Sequence, residues 1–261
     1  MGKLLYKVCI ACTLVVSCAS VPNDLESGQE LSKYMYADAQ IYGYANIAAN
    51  PAIVKTFLSA GGGIIDERLL GYIRAGAFSQ NGRIRNTLLV HTIPNGLIRK
   101  DLASQGFQMM RKNAWIHPFL GEYVYMHSPH ILERANGVAL QGVSQRFMSE
   151  MQDGIVTIRY TSLPPVITNI PKMLHSIVEE TIVHISEEGF ITIAIYIEDS
   201  RVARSLAKIL EILYQAGIEL DTGQNRHVFD VLFAGKDKII LSNESISIEE
   251  LGITFGDILK L

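Results

Sequence analysis

Three histidines and a glutamate lie within fourteen positions of this chain, at His117, Glu122, His127 and His130. Imidazole nitrogens and carboxylate oxygens bind zinc when three or four of them converge at about 2.0–2.2 Å. The stretch from His127 to His130 is compact enough for two imidazoles to share a metal. Pro118 interrupts the strand that would align His117 with His127, which favours exposed histidines that stabilise turns. We therefore predict no metal and no cofactor, and keep His117, His127 and His130 as the candidate ligands.

Sequence motifs of catalysis are otherwise missing. The chain has no Gly-x-Ser-x-Gly, His-Glu-x-x-His, Gly-x-x-x-x-Gly-Lys-Ser/Thr or Gly-x-Gly-x-x-Gly pattern. Ser205 and Lys208 match the Ser-x-x-Lys pattern of penicillin-recognising serine enzymes, but Ser205 lies inside a predicted helix and no Lys-Thr-Gly follows. The glycines at 61–63 follow no predicted strand, which favours a turn between helices over an anion site. We predict no catalytic residue.

The first eighteen residues have the composition of an export signal. Lys3 and Lys7 form a basic head, and the apolar run from Val8 to Val16 is far shorter than the ~20 residues that span a bilayer. The run ends in Val15-Val16-Ser17-Cys18, which is two aliphatic residues, a small residue and a cysteine. This segment resembles the lipobox of bacterial lipoproteins. The remaining chain resembles no family that we recognise.

The resemblance implies cleavage before Cys18, acylation of its thiol and new amino group, and attachment to a membrane through the lipid. Because Ala19 rather than an aspartate follows, it also implies delivery to the outer membrane, facing the periplasm, in a host with two membranes. Cys9 and Cys12 lie in the leader, so the mature chain has no thiol for a disulfide, which suits an oxidising compartment. The alternative is a cytosolic protein with an apolar first strand.

The charge balance of the mature chain argues against nucleic acid as a partner. Removing Lys3 and Lys7 from the 23 basic residues leaves 21 against 26 acidic residues, a net charge of −5. Such a chain has no general attraction for nucleic acid or for anionic lipid, so attachment depends on the acyl chains. With 48% hydrophobic and 19% charged residues, it is a packed protein rather than a disordered stalk.

The sequence predicts an α/β fold, with an α+β fold as the alternative. Residues 1–17 form the signal peptide, 18–29 the acylated cysteine and a short polar tether, 30–152 a mostly helical part, and 153–261 an α/β part with a mixed sheet and packed helices. A single continuous domain over 30–261 is the alternative, since the boundary depends only on the polar stretch near Gly154.

Hydrophobic periodicity predicts the individual elements. Helices are expected at 30–50, 67–78, 97–105, after Pro129, at 170–185 and at 201–215. Strands are expected at 83–93, 115–126, 155–163, 191–197, 228–233 and 238–241. In the strand Ile191–Ile197 isoleucines alternate with other residues, which predicts one aliphatic face and one face toward solvent. Ser200 is the expected N-cap of the helix at 201–215.

Four tyrosines stand on the first predicted helix, at Tyr34, Tyr36, Tyr42 and Tyr44. At 3.6 residues per turn, Tyr34 and Tyr42 project about 80° apart and Tyr34 and Tyr36 about 200° apart, so the helix would be aromatic on two sides. One side can bind a partner, because tyrosine is enriched at protein interfaces. Packing of all four between two internal layers is the alternative.

These observations together predict a membrane-anchored envelope lipoprotein. Its expected role is that of a non-enzymatic structural, assembly or interaction component of an envelope complex, with other envelope proteins as partners. One alternative is a lipoprotein that binds a small molecule in a cleft between its two parts. Another is a hydrolase whose catalytic residues are too dispersed along the chain to form a motif.

Overall fold

Strands dominate the computed structural model, which describes residues 28–49, 71–137, 155–163, 176–187, 190–215, 230–234 and 237–243. Within these residues the helices are α1 (Gly28–Ser32), α2 (Asn95–Ser104) and α3 (Ser200–Gln215). The strands are β1 (Ile41–Asn46), β2 (Ile73–Asn81), β3 (Ile84–His91), β4 (Gln108–Arg111), β5 (Ala114–His117), β6 (Glu122–Ser128), β7 (Ile131–Ala135), β8 (Val156–Tyr160), β9 (Val178–Ile185), β10 (Ile191–Ile197), β11 (Asp230–Ala234) and β12 (Lys238–Asn243).

All twelve strands belong to one sheet, in the order β11-β12-β10-β9-β8-β1-β2-β3-β7-β6-β5-β4. Every neighbouring pair is antiparallel. The prediction of an α/β or α+β fold with a helical N-terminal part and a mixed sheet is therefore wrong. The described chain is an antiparallel sheet with few helices.

The sheet has two halves, β1–β7 and β8–β12, that meet at a single ladder among the described strands. In this β1–β8 ladder, Ile41 lies opposite Tyr160 and Ala45 opposite Val156. The predicted boundary near Gly154 falls just before β8. The regions predicted as separate parts, 30–152 and 153–261, thus contribute strands to the same sheet.

The helix predicted over residues 30–50 is wrong beyond its first residues, since α1 ends at Ser32 and Ile41–Asn46 is a strand. β1 lies in the interior of the sheet between β2 and β8 and is buried on both faces. A strand buried on both faces shows no polar alternation, so its sequence does not display the period of two. Isoleucine and tyrosine, which supply half of this strand, favour extended backbone.

Three further helices were predicted where the structure has strands. The helix at 67–78 overlaps β2, the helix after Pro129 overlaps β7, and the helix at 170–185 overlaps β9. The remainder of the helix predicted after Pro129, at residues 138–154, lies outside the described residues. In β9, Val178, Ile182 and Ile185 recur at helical spacing, which led to the prediction of a helix. The segment is a strand with apolar residues buried on both faces, and such residues also coincide with a helical spacing.

The remaining predicted elements are confirmed within the described residues. They are the strands β3, β8, β10, β11 and β12 and the helices α2 and α3, whereas the strand predicted at 115–126 is divided by a turn into β5 and β6. The N-cap of α3 is Asp199 rather than Ser200, because Asp199 Oδ1 accepts the N–H groups of Arg201 at 2.7 Å and Val202 at 3.3 Å. None of the helices in the described residues has the length and apolar content required to cross a bilayer.

The larger hydrophobic core lies between α3 and one face of the sheet. Ala203, Leu206 and Leu210 of α3 pack there against aliphatic side chains of β8, β9, β10 and β12. The prediction that β10 turns its second face to solvent is wrong, since Ala194 and Tyr196 are also buried and pack with Ile182. β10 is therefore an interior strand of the sheet that is buried on both sides.

The opposite face of the sheet is covered over β1, β2, β3 and β7 by the chain that follows α1. We call residues 34–39 the strap. Leu31, Met35 and Tyr36 are buried there against tyrosines of β1 and aliphatic side chains of the neighbouring strands. A third cluster, formed by α2 and β5 and β6 around Trp115, supports the far end of the sheet.

Candidate functional site

The strap is fastened to the sheet by polar side chains. Ser79 Oγ accepts the N–H of Tyr36 at 2.8 Å, and Asn81 Nδ2 donates to the carbonyl of Asp38 at 2.9 Å. The hydroxyl of Tyr42 donates to the carbonyl of Ala37 at 2.5 Å and accepts the N–H of Ala39 at 3.2 Å. These bonds satisfy backbone groups that the strap would otherwise bury without partners.

Asn86, on β3, continues this network from the strap toward β6. Its Oδ1 accepts the N–H and the hydroxyl of Ser79, at 3.2 and 2.5 Å. Its Nδ2 donates to the carbonyl of Tyr34 at 2.7 Å and to Oε1 of Glu133 at 2.9 Å. Both amide hydrogens and the amide oxygen are therefore used, which is the condition under which a buried amide is stable.

Glu133 brings a carboxylate into the interior on β7, where it is almost wholly buried. Its Oε2 lies 2.6 Å from Nε2 of His127, and the imidazole stacks on the Tyr34 ring with the centroids 4.1 Å apart. A carboxylate accepts hydrogen bonds, so this contact keeps a proton on Nε2. A histidine oriented by a carboxylate is the arrangement of a general base. Within the described part of the chain, however, His127 makes no hydrogen bond to a serine or cysteine.

A buried ion pair lies on the same face of the sheet, on β8 and β9. Nε of Arg159 donates to Oε2 of Glu180 at 2.6 Å, and both side chains are largely buried. The guanidinium lies over the Tyr42 ring, 5.3 Å from its centroid. Pairing and the aromatic contact stabilise charges that would be costly to bury alone. This pair supports the strap from below, because Tyr42 binds the strap backbone.

Burial shifts the pKa values of two side chains, Tyr36 of the strap and His91 of β3. Burial raises the pKa of Tyr36 to about 12, with further contributions from Glu133 and Tyr125. Burial and the neighbouring His130 lower the pKa of His91 to about 4, against the opposing effect of the Ile93 N–H bound to its Nδ1. His91 is therefore neutral at physiological pH.

Large apolar side chains are exposed near one end of the sheet. We call them the apolar end, which consists of Met109, Met110, Phe119 and Leu120. These side chains are 60, 61, 91 and 61% exposed. The first two lie on the terminal strand β4, and the other two lie in the turn between β5 and β6. Exposed groups of large apolar side chains commonly mark interaction surfaces.

His117 holds the turn that presents Phe119. Its Nδ1 accepts the N–H of Leu120 at 3.2 Å and its carbonyl accepts the N–H of Gly121 at 3.1 Å. Gly121 adopts a φ of 66°, which favours glycine. The His117 ring also packs edge-on against Phe107, with centroids 5.2 Å apart. The exposed phenylalanine is thus held on a supported turn.

The sequence between Pro94 and Gly121 is locally basic although the whole chain is acidic. It contains Arg99, Lys100, Arg111 and Lys112, all exposed, against one acidic residue, Asp101. Glu122, the next carboxylate along the chain, pairs with Arg134 at 2.5 Å. The apolar end is therefore flanked by positive charge in a chain whose net charge is −3.

The four tyrosines predicted to bind a partner are placed differently from the sequence expectation. Tyr36, Tyr42 and Tyr44 are buried, and Tyr34 is half-buried against His127. They pack between the strap and the sheet, which matches the alternative of packing between internal layers. In this structure, the three buried rings have no exposed area for a partner.

The candidate metal ligands do not converge. His117 supports its turn, His127 binds Glu133, and His130 Nδ1 lies 3.2 Å from the carbonyl of His91. No three His, Cys, Asp or Glu side chains are arranged to hold a metal ion in the part of the chain that the structure describes. Ser205 donates to the carbonyl of Arg201 at 2.9 Å, a bond within α3. Cys18 and the glycines at 61–63 lie outside the described residues.

Sequence reasoning missed Asn86, Glu133, Arg159 and Glu180. Glu133 and Arg159 each follow apolar residues within a strand, in Ile131-Leu132-Glu133 and Val156-Thr157-Ile158-Arg159, whereas Asn86 and Glu180 have polar neighbours. A lone charge in such a run was a usable signal, because buried charges require partners. The missing information was the partner, since Asn86 and Glu133 are 47 residues apart in the sequence.

Comparisons with known proteins identify a similar fold and no family. No family model and no curated protein matches the chain. Three crystal forms of the Treponema protein TP0453 match its structure. Form I gives a TM-score of 0.59 at 12% identity and covers 85% of this chain and 94% of that chain. Form III gives 0.52 at 11%, covering 85% and 96%, and form IV gives 0.51 at 11%, covering 84% and 94%.

Proposed function

We propose that this chain is a lipid-anchored protein of the bacterial envelope that acts by binding other envelope proteins rather than by catalysis. The observation that carries the proposal is the leader, with its basic head, its short apolar run and its Val15-Val16-Ser17-Cys18 junction. Acylation of Cys18 would hold the sheet close to the membrane surface, because the tether before α1 is short.

The fold likeness supports the envelope as the location. TP0453 is an outer membrane-associated lipoprotein. At 12% identity the likeness concerns the fold alone, so the anchor and the choice of membrane depend on the leader of this chain. Ala19, which follows the cysteine, favours the outer membrane in a host with two membranes.

The hydrogen bonds of the buried polar residues support an interaction role over an enzymatic one. Asn86 and Glu133 bind each other, the strap and His127. Arg159 and Glu180 bind each other beneath Tyr42. These groups stabilise the packing of the strap, whereas the exposed apolar end is free of such a structural task. We therefore assign partner binding to the exposed surface.

Metabolic labelling with an alkyne analogue of palmitate tests the anchor. We expect the wild-type protein and Ser17→Ala to be labelled and Cys18→Ser to be unlabelled, since Ser17→Ala keeps a small residue before the cysteine. Ala19→Asp should remain labelled but move from the outer to the inner membrane fraction. An unlabelled wild-type protein would contradict the proposal.

Purification from detergent-solubilised membranes tests the interaction role. We expect elution with other envelope proteins in fixed stoichiometry, and we expect His127→Gln to preserve both that elution pattern and the cellular phenotype. A monomer whose phenotype is lost in His127→Gln, with folding intact by circular dichroism, would favour the hydrolase alternative instead.

A further inference from the structure

The geometry points to β4 as a docking edge for an extended, acidic segment of another envelope protein, which would join the sheet as an additional strand. The inference rests on the proposed function in one respect, the location of the partner. The features that recognise the segment are the open edge of β4, the apolar end and the exposed basic residues Arg99, Lys100, Arg111 and Lys112.

The edge of β4 is open in the part of the chain that the structure describes. All four residues of β4 are exposed, and its one neighbour in the sheet is β5. The backbone N–H and C=O groups on the other side of a terminal strand are available to an added strand. At the opposite end of the sheet, the terminal strand is β11, whose Val231 and Phe233 pack against the core.

The apolar end supplies contacts for the side chains of such a segment. Met109 and Met110 stand on β4 itself, and Phe119 stands on the turn that follows β5. Methionine is flexible and polarisable, so it adapts to varied partner side chains. Phe119 is held by the His117 turn and supplies a rigid aromatic surface.

Charge selects an acidic partner over a second copy of this chain. Arg111 ends β4 and Lys112 follows it directly, and Arg99 and Lys100 are exposed on α2, which precedes β4 in the chain. Antiparallel pairing of β4 with its copy would bring two such basic sets to one four-residue ladder. Like charges at an interface are unfavourable, whereas an acidic segment is attracted to them.

Binding of synthetic peptides to the full-length lipidated protein in dodecyl maltoside tests the inference. The probe is a fluorescein-labelled peptide that alternates valine and glutamate. Its matched controls carry lysine for glutamate, or proline in the centre. We expect the glutamate peptide to bind at least tenfold more tightly than the lysine peptide and to weaken as salt rises. We expect the proline peptide not to bind, because proline removes an N–H from the ladder.

Paired charge reversals locate the site. Arg111→Glu with Lys112→Glu should abolish binding of the glutamate peptide and permit binding of the lysine peptide. Arg201→Glu with Lys208→Glu, an equal reversal on the exposed face of α3, should leave both affinities unchanged. Hydrogen exchange should show protection of the β4 amides by the glutamate peptide. Equal affinity for both peptides, or equal effects of the two reversals, would overturn the inference.

Two further measurements test whether lipid or a second copy of this chain occupies the surface instead. A fluorophore on Leu120→Cys, in vesicles of phosphatidylethanolamine and phosphatidylglycerol without peptide, should keep the emission of an aqueous site. A blue shift would assign the apolar end to lipid and contradict the inference. A dimer by light scattering that Arg111→Glu with Lys112→Glu dissociates would assign it to a second copy, with the same consequence.

The proposal of a docking edge and the proposal of a lipid anchor can be refuted independently. Loss of peptide selectivity in a protein that carries palmitate would remove the docking edge and leave the proposed function. Selective peptide binding by a protein without palmitate would support the edge and contradict the anchor.

Discussion

His127 and Glu133 form a partly buried pair across neighbouring strands, with Nε2 of the imidazole 2.6 Å from Oε2 of the carboxylate. The second oxygen of Glu133 accepts from Asn86, which also binds the strap carbonyl of Tyr34. One carboxylate therefore links β3, β6 and β7 to the segment nearest the predicted anchor. The stability of the strap depends on this carboxylate.

We predict that Glu133→Ala lowers the free energy of unfolding by about 2–3 kcal/mol, because it leaves the Nδ2 of Asn86 and the imidazole of His127 without their buried acceptor. Glu133→Gln should be milder, since its oxygen can accept from Asn86. Glu122→Ala is the matched control, as it breaks the exposed pair with Arg134 and should cost less than about 1 kcal/mol. Urea unfolding measures all three. Equal losses at positions 133 and 122 would contradict the prediction.

We predict that stability falls between pH 6.5 and about 4 because of His91. Its pKa is about 4 in the folded state, against 6.5 for an ordinary histidine, so only the unfolded state binds the proton in this range. The free energy of unfolding then decreases by up to about 1.4 kcal/mol per pH unit as pH is lowered. His91→Asn retains an acceptor for the Ile93 N–H and should flatten this part of the stability profile. An unchanged slope in His91→Asn would rule out His91 as the cause.

We predict that Gly43→Ala destabilises the protein by about 1–3 kcal/mol through overpacking. A methyl group there would lie 2.1 Å from Cε1 of the buried Phe78 ring. Phe78→Leu should relieve the clash, so the double variant should lose less than the sum of the single losses. Gly76→Ala is the control, because its nearest atoms would lie at 3.6 Å. Additive losses in the double variant would show that Phe78 is not the obstacle.

We predict that Ile193→Asp and Ala194→Asp each prevent stable folding, because both faces of β10 are buried. An unpaired buried charge is among the few single changes that cost several kcal/mol. Ile209→Asp, on the exposed side of α3, should cost less than about 1 kcal/mol. Thermal unfolding followed by circular dichroism separates these outcomes. A stable Ala194→Asp variant would mean that this face of β10 tolerates a charge.

The sequence predicted elements well where apolar residues recur at one regular spacing and poorly where they occur at several spacings at once. The helix α3 was found because its apolar residues recur at helical spacing and Gly217 follows it, and β10 because its isoleucines alternate. The prediction of helices at β1 and β9 was wrong, because apolar residues on both faces of an interior strand can also recur at helical spacing. Only the neighbouring strands, which are distant in sequence, determine that these segments are extended.

The candidate site was predictable only in its local parts. Proline, glycine and a histidine around Phe119 indicate a turn, but the exposure of Phe119 depends on the packing of α2, β5 and β6. The four tyrosines were predicted to bind a partner, and their predicted positions followed from the incorrect helix. The partners of Glu133 and Arg159 come from other strands, and the sequence of one chain does not specify such pairs.

The β1–β8 ladder has a consequence for how copies of this chain assemble. Because the described halves of the sheet share this one ladder, a strand β8 from one molecule fits equally well beside β1 of another. Such an exchange keeps every pairing among the described strands. A high protein concentration during folding is therefore expected to favour domain-swapped dimers, which dilution before folding would prevent.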